Sequence, residues 1–450
     1  MDAFSVYGTW WAPDDPSNTF DAVLEYGTRD GPFLKPLSDY NFSFLLKKFG
    51  KQYSGNRRSL NISTRPFPIA IMLGVAEGRQ YTLINCEATL GIVMVSLVIE
   101  GKHFDNVDSA IFDKYSIKFT GLDQWGASGR LERRIVNNLD GTKILQLSYE
   151  TYKNEPLNRV ELNSAQVDIS RRVEISGGVI ERHKGTIMET TELRISPKKD
   201  EKISVVQMVE HYSNLFRNFM MLATWQPVAV TYTRGWYDKS DPLKGQSTIY
   251  WHGKGAGLQD TTYDSWLFSP QELGGQIEDV LQKWEQDYDK FQPLIRNYLA
   301  HRYISENFLE VRFLAYMQGL EAYHKLRYPN YKPNMNKPYP CDKKKKSSRG
   351  RKATLADRLI DAMQLLKRFT IINEIANPDI DTFSCHLAEV RNALNHEADR
   401  KIPLSELDKL TDNLEIIIIL LIYEALGIPE QLIEHIMENN PGFRQRARSE

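Results

Sequence analysis

The chain has 450 residues, of which 41% are hydrophobic and 11% aromatic, so it can fill the cores of two or three domains and is not an intrinsically disordered protein. Its net charge of -1 excludes a protein that coats nucleic acid without specificity, so an anionic substrate must meet a local basic patch. Because Cys86, Cys341 and Cys385 lie far apart without a C-x-x-C spacing, we expect a reducing, cytoplasmic setting.

No segment of the sequence has the character of a membrane anchor. The N-terminal MDAFSVYGTWWAPDDP lacks the basic region and apolar run of a secretory signal. The most apolar stretch, IIIILLIY at 416–423, is far shorter than the roughly 20 residues that span a bilayer. We interpret this stretch as the buried helix of a bundle or of a dimer interface, and we expect no membrane association.

Short alternating segments, separated by Gly, Asn and Asp, dominate the N-terminal part of the chain. They predict an antiparallel sandwich or barrel-like domain. Residues 205–224 have apolar side chains at helical spacing and predict a helix that packs across one sheet. The predicted strands lie in PIAIML and YTLINC, joined by the turn AEGRQ, and in IVMVSLVIEGKHF, YSIKFTGL, KILQLSYETY, TIMETTELRIS, PVAVTY and STIYWHG.

From about residue 274 the apolar spacing becomes helical. Several of the helical segments follow Ser, Thr or Asp in capping positions, and together they predict an all-helical bundle. The fold class predicted is therefore α+β and multidomain, with a β-rich antiparallel N-terminal domain (1–273) and a helical domain (274–450). The predicted helices lie in GGQIEDVLQKWEQDYDKFQPLIRNYLAHRYI, ENFLEVRFLAYMQGLEAYHKLRY, TLADRLIDAMQLLKRF, FSCHLAEVRNALNH and LSELDKLTDNLEIIIILLIYEALG.

A polar segment at 329–352, rich in Pro, Asn, Ser and Gly, separates the second and third predicted helices. Two interpretations of its charge remain open: a solvated loop without a special role, or an arm that contacts RNA phosphates and makes binding depend on salt. The segment ends in seven cations within ten residues, which are Lys343, Lys344, Lys345, Lys346, Arg349, Arg351 and Lys352.

Two segments, RNYLAH at 296–301 and RNALNH at 391–396, place an arginine five residues before a histidine. Five residues along a helix rotate by about 140°, so the two side chains lie on different faces and meet only near a helix end or between two chains. RNYLAH lies among apolar helical residues, and we expect Arg296 and His301 to be structural. RNALNH closes a helix before a polar break, where the helix dipole favours a protonated His396 that is suited to proton transfer.

The second of these segments carries a family resemblance. In its position near the end of a C-terminal bundle, RNALNH resembles the Arg-x4-6-His signature of HEPN domains, in which a polar residue commonly follows the arginine. FLEVRFLAYMQGLEAYHKLRY resembles the long first helix of ApeA-like HEPN domains. GTWWAPDDP, GRQYTLINCEATL and FDKYSIKFTGLDQWGA resemble the ApeA N-terminal domain. The resemblance extends over almost the whole chain and indicates an ApeA-type bacterial anti-phage defence protein.

This resemblance implies a metal-independent endoribonuclease that acts by abortive infection on host or phage RNA, with transfer RNA as one candidate. It implies His396 as general base or acid, Arg391 as the phosphate-binding residue and Asn392 as its support. Glu321 is a weaker candidate for supporting the histidine. Also implied are a homodimer or higher homo-oligomer formed through the HEPN domain, a phage-encoded trigger protein and the absence of a cofactor.

Other chemistries find little support in the sequence. The remaining histidines show no spacing typical of metal ligands, and no Walker or dinucleotide glycine pattern is present, so neither a metal site nor nucleotide hydrolysis is predicted. Trp10 and Trp11 could stack on a sugar or base, but a place in the core is the expectation. Two alternatives remain: a non-catalytic HEPN module that binds RNA or protein, and a ligand-binding β protein with a helical dimerisation bundle.

Overall fold

The computed structural model describes residues 3–27, 31–37, 71–89, 92–126, 131–137, 143–149, 158–176, 186–198, 201–238, 245–251, 266–303, 308–333, 353–395, 402–440 and 443. The chain forms two compact units. The first, which we call the β unit, comprises Met1–Met220 and Val228–Tyr263. The second, the helical unit, comprises Met221–Pro227 and Asp264–Glu450.

Strands make up most of the described part of the β unit. They are β1 (Phe4–Ala12), β2 (Asp15–Gly27), β3 (Gly31–Pro36), β4 (Ile71–Ala76), β5 (Arg79–Ile84), β6 (Glu87–Thr89), β7 (Ile92–Met94), β8 (Leu97–Glu100), β9 (Ile111–Phe112), β10 (Lys114–Phe119), β11 (Leu131–Asn137), β12 (Lys143–Tyr149), β13 (Asn158–Glu161), β14 (Ala165–Ser176), β15 (Thr186–Pro197), β16 (Ile203–Ser204), β17 (Val230–Trp236) and β18 (Gln246–Trp251).

Helices make up most of the described part of the helical unit. In chain order the described helices of both units are α1 (Leu122–Trp125), α2 (Val205–Gln207), α3 (Ser213–Thr224), α4 (Pro270–Leu273), α5 (Ile277–Tyr303), α6 (Leu309–Arg327), α7 (Leu355–Leu366), α8 (Thr370–Ile375), α9 (Ile380–Asn395), α10 (Leu404–Leu426) and α11 (Glu430–Asn439). Of these, α1, α2 and most of α3 belong to the β unit. A π-helical turn, Met208–Tyr212, joins α2 to α3, and 3-10 turns lie at Val107–Ser109 and Gly274–Gln276.

Fourteen strands of the β unit form one hydrogen-bonded sheet, in the order β13-β14-β15-β10-β17-β18-β8-β5-β4-β1-β2-β3-β7-β6. Every pairing among the described strands is antiparallel. The pairs β11-β12 and β16-β9 form two small separate sheets. This architecture confirms the predicted α+β fold, with an antiparallel β-rich N-terminal region and a helical C-terminal region.

The large sheet curves back on itself. The Tyr26 hydroxyl on β2 donates to the carbonyl of Trp251 on β18 at 3.3 Å, although four strands lie between β2 and β18 in the sheet order. The enclosed side includes Trp10, which is 0% exposed and donates its Nε1–H to the Ala22 carbonyl at 3.1 Å. A Cβ atom at Gly74 would overlap this indole, so only glycine allows the close approach. Trp10 is therefore part of the core, as expected.

The hairpin between β4 and β5 forms where the sequence AEGRQ predicts a turn. Glu77 has φ of 49° and Gly78 has φ of 77°, which are the left-handed conformations that a tight two-residue hairpin turn requires. Strand register follows from this turn, with Ala76 opposite Arg79 and Ile71 opposite Ile84. The local sequence signal and the observed hairpin therefore agree.

The helix predicted at 205–224 is present, with a π-helical turn in its middle. Ser204 caps its start, because the Ser204 Oγ accepts from the Gln207 amide at 3.1 Å while the Gln207 side chain accepts from the Ser204 amide at 2.9 Å. The Tyr115 hydroxyl of β10 donates to the Ile203 carbonyl at 3.4 Å, just before this cap. The start of the helical segment therefore lies over one face of the sheet.

α10 is the central helix of the helical unit and packs against α5, α6 and α7. The residues at 416–423 are each at most 2% exposed, so the chain itself buries the most apolar stretch. This stretch is the buried helix of the bundle rather than a dimer interface. The buried carboxylate of Glu415 forms an ion pair with Arg302 of α5 and accepts from Trp225 Nε1 at 3.1 Å, so its charge is compensated.

None of the described helices is both long enough and apolar enough to cross a bilayer.

Candidate functional site

The arginine of RNALNH lies at the rim of the bundle on α9. This helix forms because Phe383, Leu387 and Val390 recur at helical spacing and are buried. Arg391 follows Leu387 by one turn and is half-buried, so its side chain emerges where the buried face of the helix ends. α9 ends at Asn395, and the next residue, His396, lies outside the described residues.

Arg391 and Asn392 are held together by a hydrogen bond. The Arg391 Nη1–H donates to the Asn392 Oδ1 at 3.1 Å, and Asn392 is exposed. Among the described side chains, no carboxylate forms an ion pair with Arg391. A guanidinium that is oriented by an amide and not neutralised by an acid can bind a phosphate through two parallel hydrogen bonds.

Glu321 is engaged elsewhere in the structure. It lies on α6, which contacts α9. The carboxylate accepts from Lys325 Nζ one turn later at 2.6 Å, and the Glu321 side chain is 25% exposed. The structure thus brings Arg391 and Asn392 together but gives Glu321 a partner on its own helix.

The cations predicted to bind RNA fall outside the described residues. The described residues include Pro333 and Ala353 but not residues 334–352 between them. They therefore include none of Lys343, Lys344, Lys345, Lys346, Arg349, Arg351 and Lys352.

RNYLAH has a different environment at the end of α5. Arg296 is exposed, whereas the half-buried imidazole of His301 packs edge-to-face on the Tyr316 ring at 5.7 Å. Burial lowers the pKa of His301, and the positive charge of Arg312 lowers it further. Asn297 packs against Gly319 of α6, where an added Cβ would lie 3.2 Å from the Asn297 Nδ2. This segment therefore contributes to helix packing, as expected.

A buried histidine network between α6 and α7 was not predicted. His324 is 1% exposed, and its Nε2 lies 2.8 Å from Asp361 Oδ2 while its Nδ1 lies 3.2 Å from Arg358 Nη1. A guanidinium can only donate, so Nδ1 must accept, and the proton of the neutral ring resides on Nε2 and points to Asp361. Burial lowers the pKa of His324, against the opposing effect of the Asp361 carboxylate. The imidazole is thus a neutral link between two helices.

The sequence carried no signal for this network, because its partners are separated by 37 and 34 residues along the chain. A side chain as deeply buried as His324 cannot reach an RNA strand. Its role is to fix α6 on α7, and α7 in turn packs against α9 through a small cluster that includes Ile360 and Ala388. The network therefore supports the helix that carries Arg391.

A second histidine–carboxylate contact lies on α9 itself. His386 Nε2 lies 2.9 Å from the Glu406 Oε1 in the first turn of α10. His386 precedes Arg391 by five residues, so the two side chains lie about 140° apart around the helix. This contact joins α9 to the start of α10 and was also not predicted.

Both described cysteines are buried, Cys385 on α9 and Cys86 in the β unit. Cys86 is a free thiol in the core of the β unit, and burial raises its pKa. Within the described ranges, no group of three or more His, Cys, Asp or Glu side chains is placed to hold a metal ion.

Two family models match the sequence. The ApeA N-terminal domain 1 model matches residues 5–284, which is more than half of the chain and includes the large sheet except for the first residue of β1. The Apea-like HEPN model matches residues 314–432, which include all of α7 to α10 and the segment RNALNH. No curated protein and no solved structure matches the chain.

Proposed function

Because the chain belongs to the ApeA-type HEPN proteins of bacterial anti-phage defence, we propose that it is an endoribonuclease whose active residues lie at the end of α9. The observation that carries this proposal is the environment of Arg391. Its guanidinium is oriented by Asn392 at the rim of the bundle, five residues before His396, and has no ion-pair partner among the described carboxylates.

In the proposed reaction, His396 removes the proton from a ribose 2′-OH, and the resulting oxygen attacks the adjacent phosphorus. Arg391 binds the non-bridging oxygens and stabilises the negative charge that develops on them. The bond from phosphorus to the 5′ oxygen breaks, and a protonated histidine supplies the proton to that leaving oxygen. The products are a 2′,3′-cyclic phosphate and a 5′-OH. DNA is spared because it lacks the 2′-OH.

A dimer makes this site complete. Arg391 and His396 project about 140° apart if the helical path continues, so one motif alone cannot surround a phosphate. A twofold axis beside the end of α9 would bring the arginine of one chain opposite the histidine of its partner. We propose that the HEPN domains associate in this way, as a dimer or a larger homo-oligomer, and that Glu321 has at most a supporting role.

The proposed biological role is abortive infection in the bacterial cytoplasm. The N-terminal domain, at 1–273, receives an infection signal, for which a phage-encoded protein is the candidate trigger, and the HEPN domain, at 274–450, then cleaves host or phage RNA. Transfer RNA is one candidate substrate. Restraint before infection is required, because an unregulated ribonuclease would kill its own host.

Purified protein provides the direct test. The full chain is incubated with RNA in a chelating buffer, alone and with lysate from phage-infected cells, and the chemistry of the product ends is determined. We expect cyclic phosphate and 5′-OH ends from the wild type and from His301→Ala, but not from Arg391→Ala or His396→Ala. Cleavage that needs Mg²⁺ or leaves 5′-phosphate ends would contradict the proposal. RNA binding without cleavage in all four proteins would favour a non-catalytic HEPN module.

A further inference from the structure

One face of the large sheet is polar over its central strands. Directly opposed residues of antiparallel neighbours point to the same side of a sheet, so the strand register defines this face. Ser116 on β10 lies opposite Arg194 on β15 and Arg234 on β17, and Arg234 lies opposite Thr248 on β18. We call this side the polar face. It carries Lys114, Ser116, Lys118, Glu192, Arg194, Tyr232, Arg234, Trp236, Thr248 and Tyr250.

The opposite face of the same strands is fully buried. Tyr115, Ile117, Leu193, Ile195 and Ile249 alternate with the polar residues and are at most 3% exposed. The cations of the polar face are instead only half-buried, so solvent reaches them. Ser116 and Glu192, at the centre of this face, are 0% and 3% exposed, so solvent reaches the cations and the aromatic residues of the polar face but not these two side chains.

Positive charge predominates on the polar face. Over β15, β10 and β17 it carries four cations and one carboxylate, Glu192, while the bordering strands add Asp168 on β14, opposite Arg194, and Glu100 on β8, opposite Thr248. Glu192 is already committed, because its two oxygens accept from the Ser116 hydroxyl at 2.6 Å and from Arg194 at 2.5 Å. Among the described residues, Lys114, Lys118 and Arg234 take part in no ion pair. Three cations on adjacent strands thus form no ion pair, although Glu192 and Asp168 attract Lys114 from a greater distance.

The cations alternate with aromatic rings. Lys114 Nζ lies 5.7 Å from the centroid of Trp236, and the Arg234 guanidinium lies 5.0 Å from the centroid of Tyr232. Desolvation and repulsion from Arg194 lower the pKa of Lys114 by more than the attraction of Glu192 and Asp168 raises it, so holding this lysine charged costs free energy in the absence of a ligand. An anionic ligand would remove that cost.

A cavity of about 420 Å³ opens at one end of the polar face. It lies within the size range of pockets that hold small organic groups. Its aromatic wall is ordered by ring contacts of Phe4 with Tyr250 at 4.9 Å and with Tyr26 at 5.6 Å. The lining includes Phe4, Tyr81, Glu100, Tyr232, Thr248 and Tyr250.

We propose that the polar face binds single-stranded RNA, with one base in the cavity and the following phosphates on Arg234, Lys118 and Lys114. Three strand spacings separate β18 from β15, so the face extends over about 14 Å, which exceeds the reach of one phosphate. Aromatic platforms next to cations are the arrangement by which proteins bind single strands, because every base can stack and every linkage is charged.

Two other ligands fit the observations less well. An acidic peptide would satisfy the cations but would leave the aromatic cavity without a planar partner. Single-stranded DNA shares the phosphates and bases, and the choice of RNA rests on the proposed function of the helical unit. Binding at the polar face does not itself require cleavage, so the two proposals can fail separately.

The test measures binding of a fluorescently labelled 12-nucleotide RNA to the full chain carrying His396→Ala, so that the RNA stays intact. Lys114→Gln/Lys118→Gln/Arg234→Gln removes the three cations. The control, Lys35→Gln/Lys283→Gln/Lys409→Gln, removes the same charge from exposed positions away from the polar face. At about 0.7 per phosphate contact, the polar-face variant is expected to lower the salt dependence of binding by about 2, and the control to leave it unchanged.

The affinity in moderate salt is expected to fall at least about tenfold in the polar-face variant only. Tyr232→Ala is expected to weaken binding about fivefold or more through lost stacking. Equal affinity and equal salt dependence of the two triple variants would overturn the proposal. So would tighter binding of a DNA strand of the same sequence, or displacement of the RNA by polyglutamate as effectively as by unlabelled RNA. Loss of cleavage in the wild type, with this binding intact, would overturn only the nuclease proposal.

Discussion

The two Arg-Asn-x3-His segments have the same spacing and opposite environments. At the end of α5, Arg296 is exposed and Asn297 packs against Gly319 of α6. At the end of α9, Asn392 is exposed and accepts a hydrogen bond from the half-buried Arg391. In the first segment the asparagine serves the contact between helices. In the second it accepts a hydrogen bond that restrains the guanidinium of the arginine.

The difference shows that the structural environment of a short motif decides whether its side chains can bind a ligand. An arginine that points freely into water has many orientations, and holding it on a phosphate costs conformational entropy. A guanidinium already fixed by a neighbouring amide loses less on binding, and the absence of a described carboxylate partner leaves its charge for the ligand. The same spacing is therefore structural in one helix and a candidate for chemistry in the other.

The largest expected effect is the difference in RNA cleavage rate between variants of the two arginines. Arg391→Ala is expected to lower the rate of RNA cleavage at least about a hundredfold, because the charge that stabilises the phosphorane-like transition state is lost. Arg296→Ala removes an exposed side chain and is expected to change the rate less than about twofold. Initial rates of the two purified variants under identical conditions test this. Equal losses in both would show that the environments do not distinguish the segments.

A second prediction distinguishes a supporting histidine from a reacting one. His324→Ala leaves the half-buried Arg358 and the facing Asp361 without their shared partner and is expected to lower the free energy of unfolding by about 2–3 kcal/mol. Urea unfolding of the full chain measures this change. His435→Ala on α11, where the ring is exposed, is the matched control and is expected to have an effect within about 0.5 kcal/mol.

A stability loss in His324→Ala no larger than that of His435→Ala would contradict the structural role of the network. At temperatures where His324→Ala remains folded, it should still cleave RNA, because His324 touches no substrate in the proposed site. A folded but inactive His324→Ala variant would instead move the chemistry from α9 to the interface of α6 and α7.

The third prediction concerns the two asparagines. Asn392→Ala removes the acceptor that orients Arg391 and is expected to lower the cleavage rate about tenfold, within the range for one lost hydrogen bond to a charged group. Asn297→Ala is expected to leave the rate nearly unchanged. Single-turnover rates of both variants provide the comparison. We expect Asn392→Asp to cleave RNA as slowly as Asn392→Ala, because a carboxylate at this position would neutralise the arginine that binds the phosphate.

Local features of the fold could be predicted from the sequence, whereas non-local ones could not. Helix α9 and the turn at Glu77 and Gly78 follow from signals within a few neighbouring residues, and both are where they were expected. The strand order could not be inferred, because the position of β10 between β15 and β17 depends on contacts between residues about 80 to 120 apart along the chain. The sequence did not predict the short helices α8 and α11, because neither is long enough to show a clear helical spacing of apolar residues.

The candidate site was accessible to sequence reasoning only in part. Arg391 and Asn392 are adjacent, so their pairing lies within the motif itself. The network of His324, Asp361 and Arg358 joins two helices that a long polar segment separates in sequence. The spacing of apolar residues does not predict such a contact. The polar face was hidden for the same reason, because its cations come from strands that are distant in sequence.

The smallest expected effect is a pH dependence of stability. In the folded state the pKa values of His301 and His324 lie below the ordinary value of 6.5, so the unfolded chain binds more protons as the pH falls through 6.5. The stability contributed by these two rings is present above about pH 6.5 and is lost as the pH decreases below it. Urea midpoints between pH 5.5 and 7.5 should therefore fall toward acid less steeply in His324→Gln than in the wild type. An unchanged slope would show that His324 is not held neutral.

The most direct test of the central claim is made in infected cells. Bacteria expressing the wild type, His396→Ala or His301→Ala are challenged with phage, and the 5′-OH ends of cellular RNA are sequenced. The account predicts new 5′-OH ends and protection in the wild type and in His301→Ala, with both lost in His396→Ala. Protection and 5′-OH ends that persist in His396→Ala would contradict the assignment of the chemistry to the end of α9.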